Sequence, residues 1–197
     1  VQYYDIGRKA IATHQNGSQT VYEHDEKFRS TVSRYTSGYE EFTYNDTNDR
    51  TSHRDKNGNI TSYEYDDKGN VIVEKTPVGD VIKTVYSKSG RLVSVEVNGV
   101  VVAQNEYDDD ENLVSSSDAL GRAIGYEYNE YKLPVKIINP DGTSLSLSYD
   151  DRGNIDEIID ELGNINKYSY DDLNRVTSTV DANGNLEKFA YNARNEL

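Results

Sequence analysis

From Tyr44 onward, short apolar runs alternate with polar, glycine-bearing gaps. The clearest stretch holds Ile155 to Ile159 and Ile165 to Tyr170, separated by Asp160-Glu161-Leu162-Gly163-Asn164 and preceded by Asp150-Asp151-Arg152-Gly153-Asn154. Runs of about five to seven residues have the usual length of strands and are too short for helices. Their Val, Ile, Thr and Tyr suit a half-buried pleated surface. In the second run of each unit the period is two: Tyr63 and Tyr65 flank Glu64, Tyr126 and Tyr128 flank Glu127, Leu147 and Tyr149 flank Ser148, Tyr168 and Tyr170 flank Ser169, and Phe189 and Tyr191 flank Ala190. Residues two apart in a strand point the same way. The pattern predicts a sheet with one aromatic face and one polar or small face, the aromatic rows stacking into ribs. The gaps are turns, because Gly takes positive φ without steric cost and Asp and Asn bond their own backbone. Asn174 and Asn195 fill the glycine slot where it is missing, Asn being tolerated at positive φ; Glu111 and Lys132 in that slot predict a different loop.

The alternation keeps a fixed period. Tyr44, Tyr65, Tyr86, Tyr107, Tyr128, Tyr149, Tyr170 and Tyr191 stand 21 residues apart. Gly58, Gly79, Gly121, Gly142, Gly163 and Gly184 run in step, interrupted at Val100, where Gly99 comes one place early. A period of this length marks a repeat architecture. Two strands and two turns per unit make an antiparallel hairpin meander, so the fold class is all-β, with the tyrosines and glycines as its structural repeat positions. Residues 44–197 read as one continuous array and residues 1–43 as degenerate or N-terminal units, in which Tyr22 is the nearest equivalent of a comb tyrosine. About 16 to 18 strands are expected. A one-faced sheet that wide must curl or pack against something, and natural twist favours a curved wall, part of a spiral or barrel. The last unit stops mid-repeat at Leu197, which reads as a section of a longer protein.

Composition narrows the chemistry. The formal net charge is −14, which disfavours a nucleic-acid partner, since phosphate binding needs clustered Lys and Arg. With no cysteine there is no disulfide, zinc-thiolate site or Cys nucleophile. No apolar run has membrane-spanning length, so membrane insertion is not expected. The loops Asp55-Lys56-Asn57-Gly58-Asn59 and Asp181-Ala182-Asn183-Gly184-Asn185 look superficially like calcium loops. They lack the helical frame and the twelfth-position Glu of an EF-hand, and turn chemistry is the simpler reading; no metal is assigned. The histidines, His14, His24 and His53, have no metal-type spacing, and no nucleophile motif is present. The carboxylate pairs lie in turns, where nothing would raise a pKa for acid–base work. No catalytic residue, cofactor or enzymatic activity is therefore expected. The tyrosines could form a sugar-stacking platform, but their place on the apolar face favours a structural role. Asn16-Gly17-Ser18, Asn45-Asp46-Thr47 and Asn59-Ile60-Thr61 are sequons, unsurprising in so Asn-rich a chain.

The unit Tyr-Asp-x-x-Gly-Asn-aliphatic resembles the RHS or YD repeat. It stands in Tyr65-Asp66-Asp67-Lys68-Gly69-Asn70-Val71, Tyr149-Asp150-Asp151-Arg152-Gly153-Asn154-Ile155 and Tyr168-Ser169-Tyr170-Asp171-Asp172-Leu173-Asn174-Arg175-Val176. The resemblance covers residues 42–197 well and 1–41 weakly. Its family includes bacterial RHS and wall-associated polymorphic toxins, shell components of insecticidal toxin complexes, and teneurins. It implies a hairpin strip spiralling into a hollow shell that in bacterial members encloses a C-terminal toxin. It also implies a secreted or surface location, with a bacterial cell wall favoured. The partners so implied are the rest of the parent shell and its C-terminal toxin or effector. The alternative is an adhesion module for cell-surface glycans or proteins. Unpaired terminal strands would further allow self-association through sheet edges.

Overall fold

The computed structural model describes residues 2–6, 8–192 and 194–197, and every regular element among them is a strand. The strands are β1 (Gln2–Ile6), β2 (Lys9–Thr13), β3 (Gln19–His24), β4 (Ser30–Tyr35), β5 (Gly38–Tyr44), β6 (Arg50–Arg54), β7 (Ile60–Tyr65), β8 (Val71–Lys75), β9 (Val81–Tyr86), β10 (Leu92–Val97), β11 (Val100–Tyr107), β12 (Leu113–Asp118), β13 (Ala123–Tyr128), β14 (Pro134–Ile138), β15 (Ser144–Tyr149), β16 (Ile155–Ile159), β17 (Ile165–Tyr170), β18 (Val176–Val180) and β19 (Leu186–Lys188). The chain divides into two compact units, Val1–Val102 and Ala103–Leu197.

Each unit is a meander in which every strand pairs antiparallel with the next. In the second unit Ser148 faces Glu157, Glu157 faces Lys167, and Lys167 faces Val180. The opposite face carries Leu147 against Ile158 and Tyr168 against Thr179. In the first unit Tyr63 lies against Glu74 and Phe42 against His53. The polar face is laced by cross-strand ion pairs, among them Lys167–Glu157 at 2.8 Å, Lys83–Glu96 at 3.4 Å and Arg54–Glu41 at 3.3 Å. Opposite charges directly across an antiparallel pair contribute a few tenths of a kcal/mol each, roughly 0.2–1.

The core is thin. Among the described residues, Ala12, Thr20 and Ser33 are the buried ones, all small and all in β2–β4. The tyrosines and aliphatics elsewhere are half-buried, as a sheet with a single apolar face requires. Stability therefore falls more heavily on the hydrogen bonds that fix one hairpin to the next.

One device recurs at every comb position with an observed register. Between Ser148 and Tyr149 the pairing with β16 skips a residue, so that Tyr149 faces Ile155 while Ser148 faces Glu157. The same slip occurs at Thr43/Tyr44, Glu64/Tyr65, Val85/Tyr86, Glu106/Tyr107, Glu127/Tyr128 and Ser169/Tyr170. Each is a β-bulge, which bends the strand and increases local twist. The slip at Glu23/His24 puts His24, rather than Tyr22, in the comb position of the first unit. Tyr22 pairs with Ser33 two places earlier, inside the strand. The irregular spacing there reflects a substitution of the comb residue and a one-residue shorter unit.

Candidate functional site: anchors between hairpins

Apart from the two-residue turns Thr36-Ser37 and Asn98-Gly99, the described turns between strands from β2 onward share one five-residue scaffold on both edges of the strip. In the turn 150–154 the Asp150 N–H donates to Asn154 O at 2.9 Å and the Gly153 N–H to Asp150 O at 3.0 Å. Asp150 Oδ1 accepts the N–H groups of Arg152 and Asn154, both at 2.9 Å, and Oδ2 accepts the Asn154 amide at 2.9 Å. Asp66, Asp108, Asp160 and Asp181 repeat the pattern with Asn70, Asn112, Asn164 and Asn185. In Asp25, Asp118 and Asp171 turns, an Arg guanidinium replaces the amide: Arg29, Arg122 and Arg175, each at 2.7 Å. Where the first residue is Asn and the fifth is acidic, the polarity reverses. Asn45 donates to Asp49 at 3.0 Å and Asn192 to Glu196 at 2.6 Å.

These bonds favour the ionised carboxylate. The Asn70, Asn112, Asn164 and Asn185 side chains hold Asp66, Asp108, Asp160 and Asp181 below the usual carboxylate value, and Arg122 and Arg175 do so for Asp118 and Asp171. In the two calcium-like loops, Asp55 and Asp181 spend their oxygens on three N–H donors each.

The fourth turn residue has positive φ throughout, and it need not be Gly or Asn. Glu111 at 65°, Lys132 at 61° and Phe28 at 60° occupy it. The different loop expected at Glu111 and Lys132 is not formed: Asp108–Asn112 and Asn129–Leu133 close with the same pair of backbone bonds as their glycine counterparts. The side-chain acceptor at the first position supplies enough local bonding to hold a non-glycine residue in the left-handed region.

Comb tyrosines cross from one repeat to the previous one through their hydroxyls. Tyr170 donates to Ile155 O at 2.8 Å, Tyr149 to Pro134 O at 2.6 Å, Tyr128 to Leu113 O at 2.8 Å and Tyr191 to Val176 O at 2.9 Å. In the first unit Tyr65 reaches Arg50 O at 2.7 Å and Tyr44 reaches Ser30 O at 2.9 Å. His24, in the comb position, lies 3.3 Å from Arg8 O through Nδ1. Desolvation pushes the phenols of Tyr65, Tyr128, Tyr149 and Tyr170 above their ordinary value. The expected ribs of stacked aromatics differ from what is seen: among the described residues, the face-to-face ring pair is Phe42 with His53, centroids 4.9 Å apart. Hairpin pitch explains this, since comb tyrosines sit two strands apart, roughly 9.6 Å, too far for ring contact.

A second staple runs beside the hydroxyls. Asn154 donates to Asn174 Oδ1 at 2.9 Å, Arg175 to Asn195 Oδ1 at 2.7 Å and Arg29 to Asn48 Oδ1 at 3.0 Å. In each case the fifth residue of one turn reaches the fourth of the next. Arg29 also covers the Tyr44 ring at 4.8 Å, and Arg175 the Tyr191 ring at 4.5 Å. Asn in the positive-φ slot thus has a bonding role that its backbone tolerance alone did not reveal. The comb glycines lie on the other edge: Gly58, Gly79, Gly121, Gly142, Gly163 and Gly184 all have positive φ in the second turn of their units.

His14 and His24 lie apart from His53. His14 bonds Thr20 at 3.0 Å. His53 stacks on Phe42 with Nε2 3.6 Å from Glu40 Oε1, and Tyr35 donates to the other Glu40 oxygen at 2.8 Å. No nucleophile bonded to a base completes this group among the described residues.

Fold and anchors together define an all-β array of hairpin repeats joined through a tyrosine and a turn carboxylate. The RHS repeat family model matches residues 44–81 and 149–186, and the teneurin YD-shell model matches residues 81–160. The two models span residues 44–186 between them, and the chain belongs to the RHS/YD-repeat family. Compared by sequence with curated proteins, it has no match. Among solved structures, it resembles the TcdB2-TccC3-Cdc42 crystal structure at TM-score 0.57 and 16% identity, over 87% of this chain and 11% of that one. It resembles TcdB2-TccC3-TEV at TM-score 0.55 and 11% identity, over 99% of this chain and 14% of that one. These likenesses are of fold, and the chain spans 11% to 14% of those neighbours' length.

Proposed function

We propose that this chain is a non-catalytic wall section of a secreted or surface RHS/YD-repeat protein, part of a β-shell that encloses a C-terminal toxin or effector in the parent. The observation that carries the reading is the tyrosine hydroxyl bonded to the preceding carbonyl at six repeat junctions, joined at three of them by the bond from the fifth turn residue to the next turn. These bonds serve continuity of a sheet and nothing in them turns over a substrate. The recurrent bulges supply the local bend a wall needs to curve. The bland faces suit it as well: one carries balanced ion pairs, the other half-buried tyrosines.

The test is protection of cargo. In the parent protein, the segment following the repeats should resist protease while the array is intact. It should become sensitive when Tyr149 and Tyr170 are both replaced by Ala. Cargo equally accessible before and after would sink the reading. Saturable binding of a cell-surface glycan to the array would instead favour an adhesion role.

A further inference from the structure

Two grooves on the second unit share one plan. One, of about 900 Å³, lies between the turns 129–133 and 150–154 and is floored by Leu133, Val135, Leu147 and Tyr149. The other, of about 510 Å³, lies one repeat earlier, with Val114, Tyr126 and Tyr128 in its lining. Their members correspond at 21-residue intervals: Val114 with Val135, Tyr126 with Leu147, Tyr128 with Tyr149, and Glu130 with Asp151. They recur at hairpin pitch, roughly 9.6 Å for two strands. Beside them runs a row of carboxylates. The second residue of each tyrosine-edge turn is acidic in Asp109, Glu130, Asp151 and Asp172, and all four are exposed. Arg152, which lines the larger groove, lies 3.8 Å from Asp172, and Lys132, which lines the smaller, lies 3.4 Å from Asp110, so Glu130 and Asp151 carry the acidic character of the grooves. Tyr131, 75% exposed, stands on the rim of the larger groove, where other repeats place Asp110, Arg152 or Leu173.

We infer that this edge docks an extended cationic polypeptide, running across the hairpins with one basic side chain per repeat. Charge complementarity selects the occupant: the rail is acidic on a chain of net charge −14, and the floor between its carboxylates is apolar enough to take the aliphatic stem of Lys or Arg. Geometry selects the conformation. A polyproline II segment rises about 3.1 Å per residue, so every third residue falls roughly 9.3 Å along it, close to the hairpin pitch. Basic residues at every third position would meet successive carboxylates in phase, and engagement of two grooves by one ligand multiplies the affinities. A free glycan offers no charge to meet the rail. This inference is independent of whether the wall encloses a cargo.

The test uses the chain itself and two labelled peptides with equal numbers of lysines, one of Pro-Pro-Lys triplets and one of Pro-Lys doublets. Fluorescence anisotropy should show the triplet peptide binding about tenfold tighter at moderate salt, through phased bivalency. The double variant Glu130→Gln, Asp151→Asn should erase that preference. Glu161→Gln, on the opposite edge, should keep it, and circular dichroism will confirm that each variant retains its sheet. Equal affinity for both peptides would overturn the inference by reducing the effect to non-specific attraction. So would a preference surviving the double variant, or binding of an N-acetylglucosamine oligomer in place of either peptide.

Discussion

Hairpins β3 to β6 and hairpins β15 to β18 solve one problem at different quality. In the later pair, Gly153 and Gly163 take the positive-φ slots, Asp150 and Asp160 anchor the turns, and Tyr149 and Tyr170 bond back across each junction. In the earlier pair, Phe28 is forced to φ 60° while 77% exposed, His24 stands in for a comb tyrosine, and a tight turn at Thr36-Ser37 replaces the five-residue loop. Yet the earlier pair holds the buried Thr20 and Ser33 and the Phe42–His53 stack. Regular repeats are held by iterated bonds, whereas the irregular ones compensate with side-chain packing. The repeat thus tolerates loss of any one anchor, provided a neighbour supplies burial or another bond.

The pH profile should separate the regions most strongly, because it titrates every anchor at once. A carboxylate whose folded pKa is lowered contributes stability above its ordinary value, 3.8 for Asp160, and loses it as pH falls through the lowered value. Among the described residues, seven such turn carboxylates lie in the second unit (Asp108, Asp118, Asp141, Asp150, Asp160, Asp171 and Asp181) against four in the first (Asp25, Asp49, Asp55 and Asp66). Hydrogen exchange below about pH 4 should therefore show the second unit losing protection before the first. The tyrosines give the opposite limb. A raised phenol pKa contributes stability below its ordinary value, 10.0 for Tyr170, and loses it as pH rises through the raised value. A tyrosinate can no longer donate to a carbonyl, so protection should fall again under strongly alkaline conditions.

Among single changes, Tyr170→Ala or Tyr149→Ala should cost about 2–4 kcal/mol, less than the roughly 3–5 kcal/mol of a fully buried aromatic truncation because the rings are half-buried. Denaturant unfolding measures it, and an unchanged midpoint would contradict the anchoring role. Next come the turn slots, where opposite signs are expected. Phe28→Gly should stabilise by about 1–2 kcal/mol, and Gly163→Ala should destabilise by a similar amount. A Cβ at Gly163 meets nothing within 4 Å, so the penalty there is backbone strain alone. Smallest is Tyr170→Phe, which keeps the ring and removes the hydroxyl bond, at about 0.5–1.5 kcal/mol. A cost no larger than that of Tyr168→Phe, one residue pair away on the same face, would show the hydroxyl to be incidental.

Much of this was legible in the chain. Period, strand length and the two-residue alternation of Tyr168-Ser169-Tyr170 lead directly to an antiparallel hairpin array. Positions that depend on bonding partners were not legible. Glu111 and Lys132 look wrong for a glycine slot because propensity describes an isolated residue, whereas Asp108 and Asn129 hold the loop from outside it. The bulge before each comb tyrosine adds a residue to the opposite strand, and alternation within one strand does not reveal it. His24 could have been found by aligning turns instead of tyrosines, since Asp25, Asn45 and Asp66 begin the same loop. The stacked-rib expectation missed because identical faces were equated with contact, when pitch keeps the rings apart.

The reach of the longest of these links has a mechanical corollary. Lys132 to Asp110 and Asn139 to Glu161 each span 22 residues, scarcely more than one unit. A polymer stitched only to its near neighbours unzips instead of bursting. Drawn from one terminus in an optical trap, it should yield in a sawtooth of equal teeth, each paying out one hairpin's worth of thread, about 70 Å of contour.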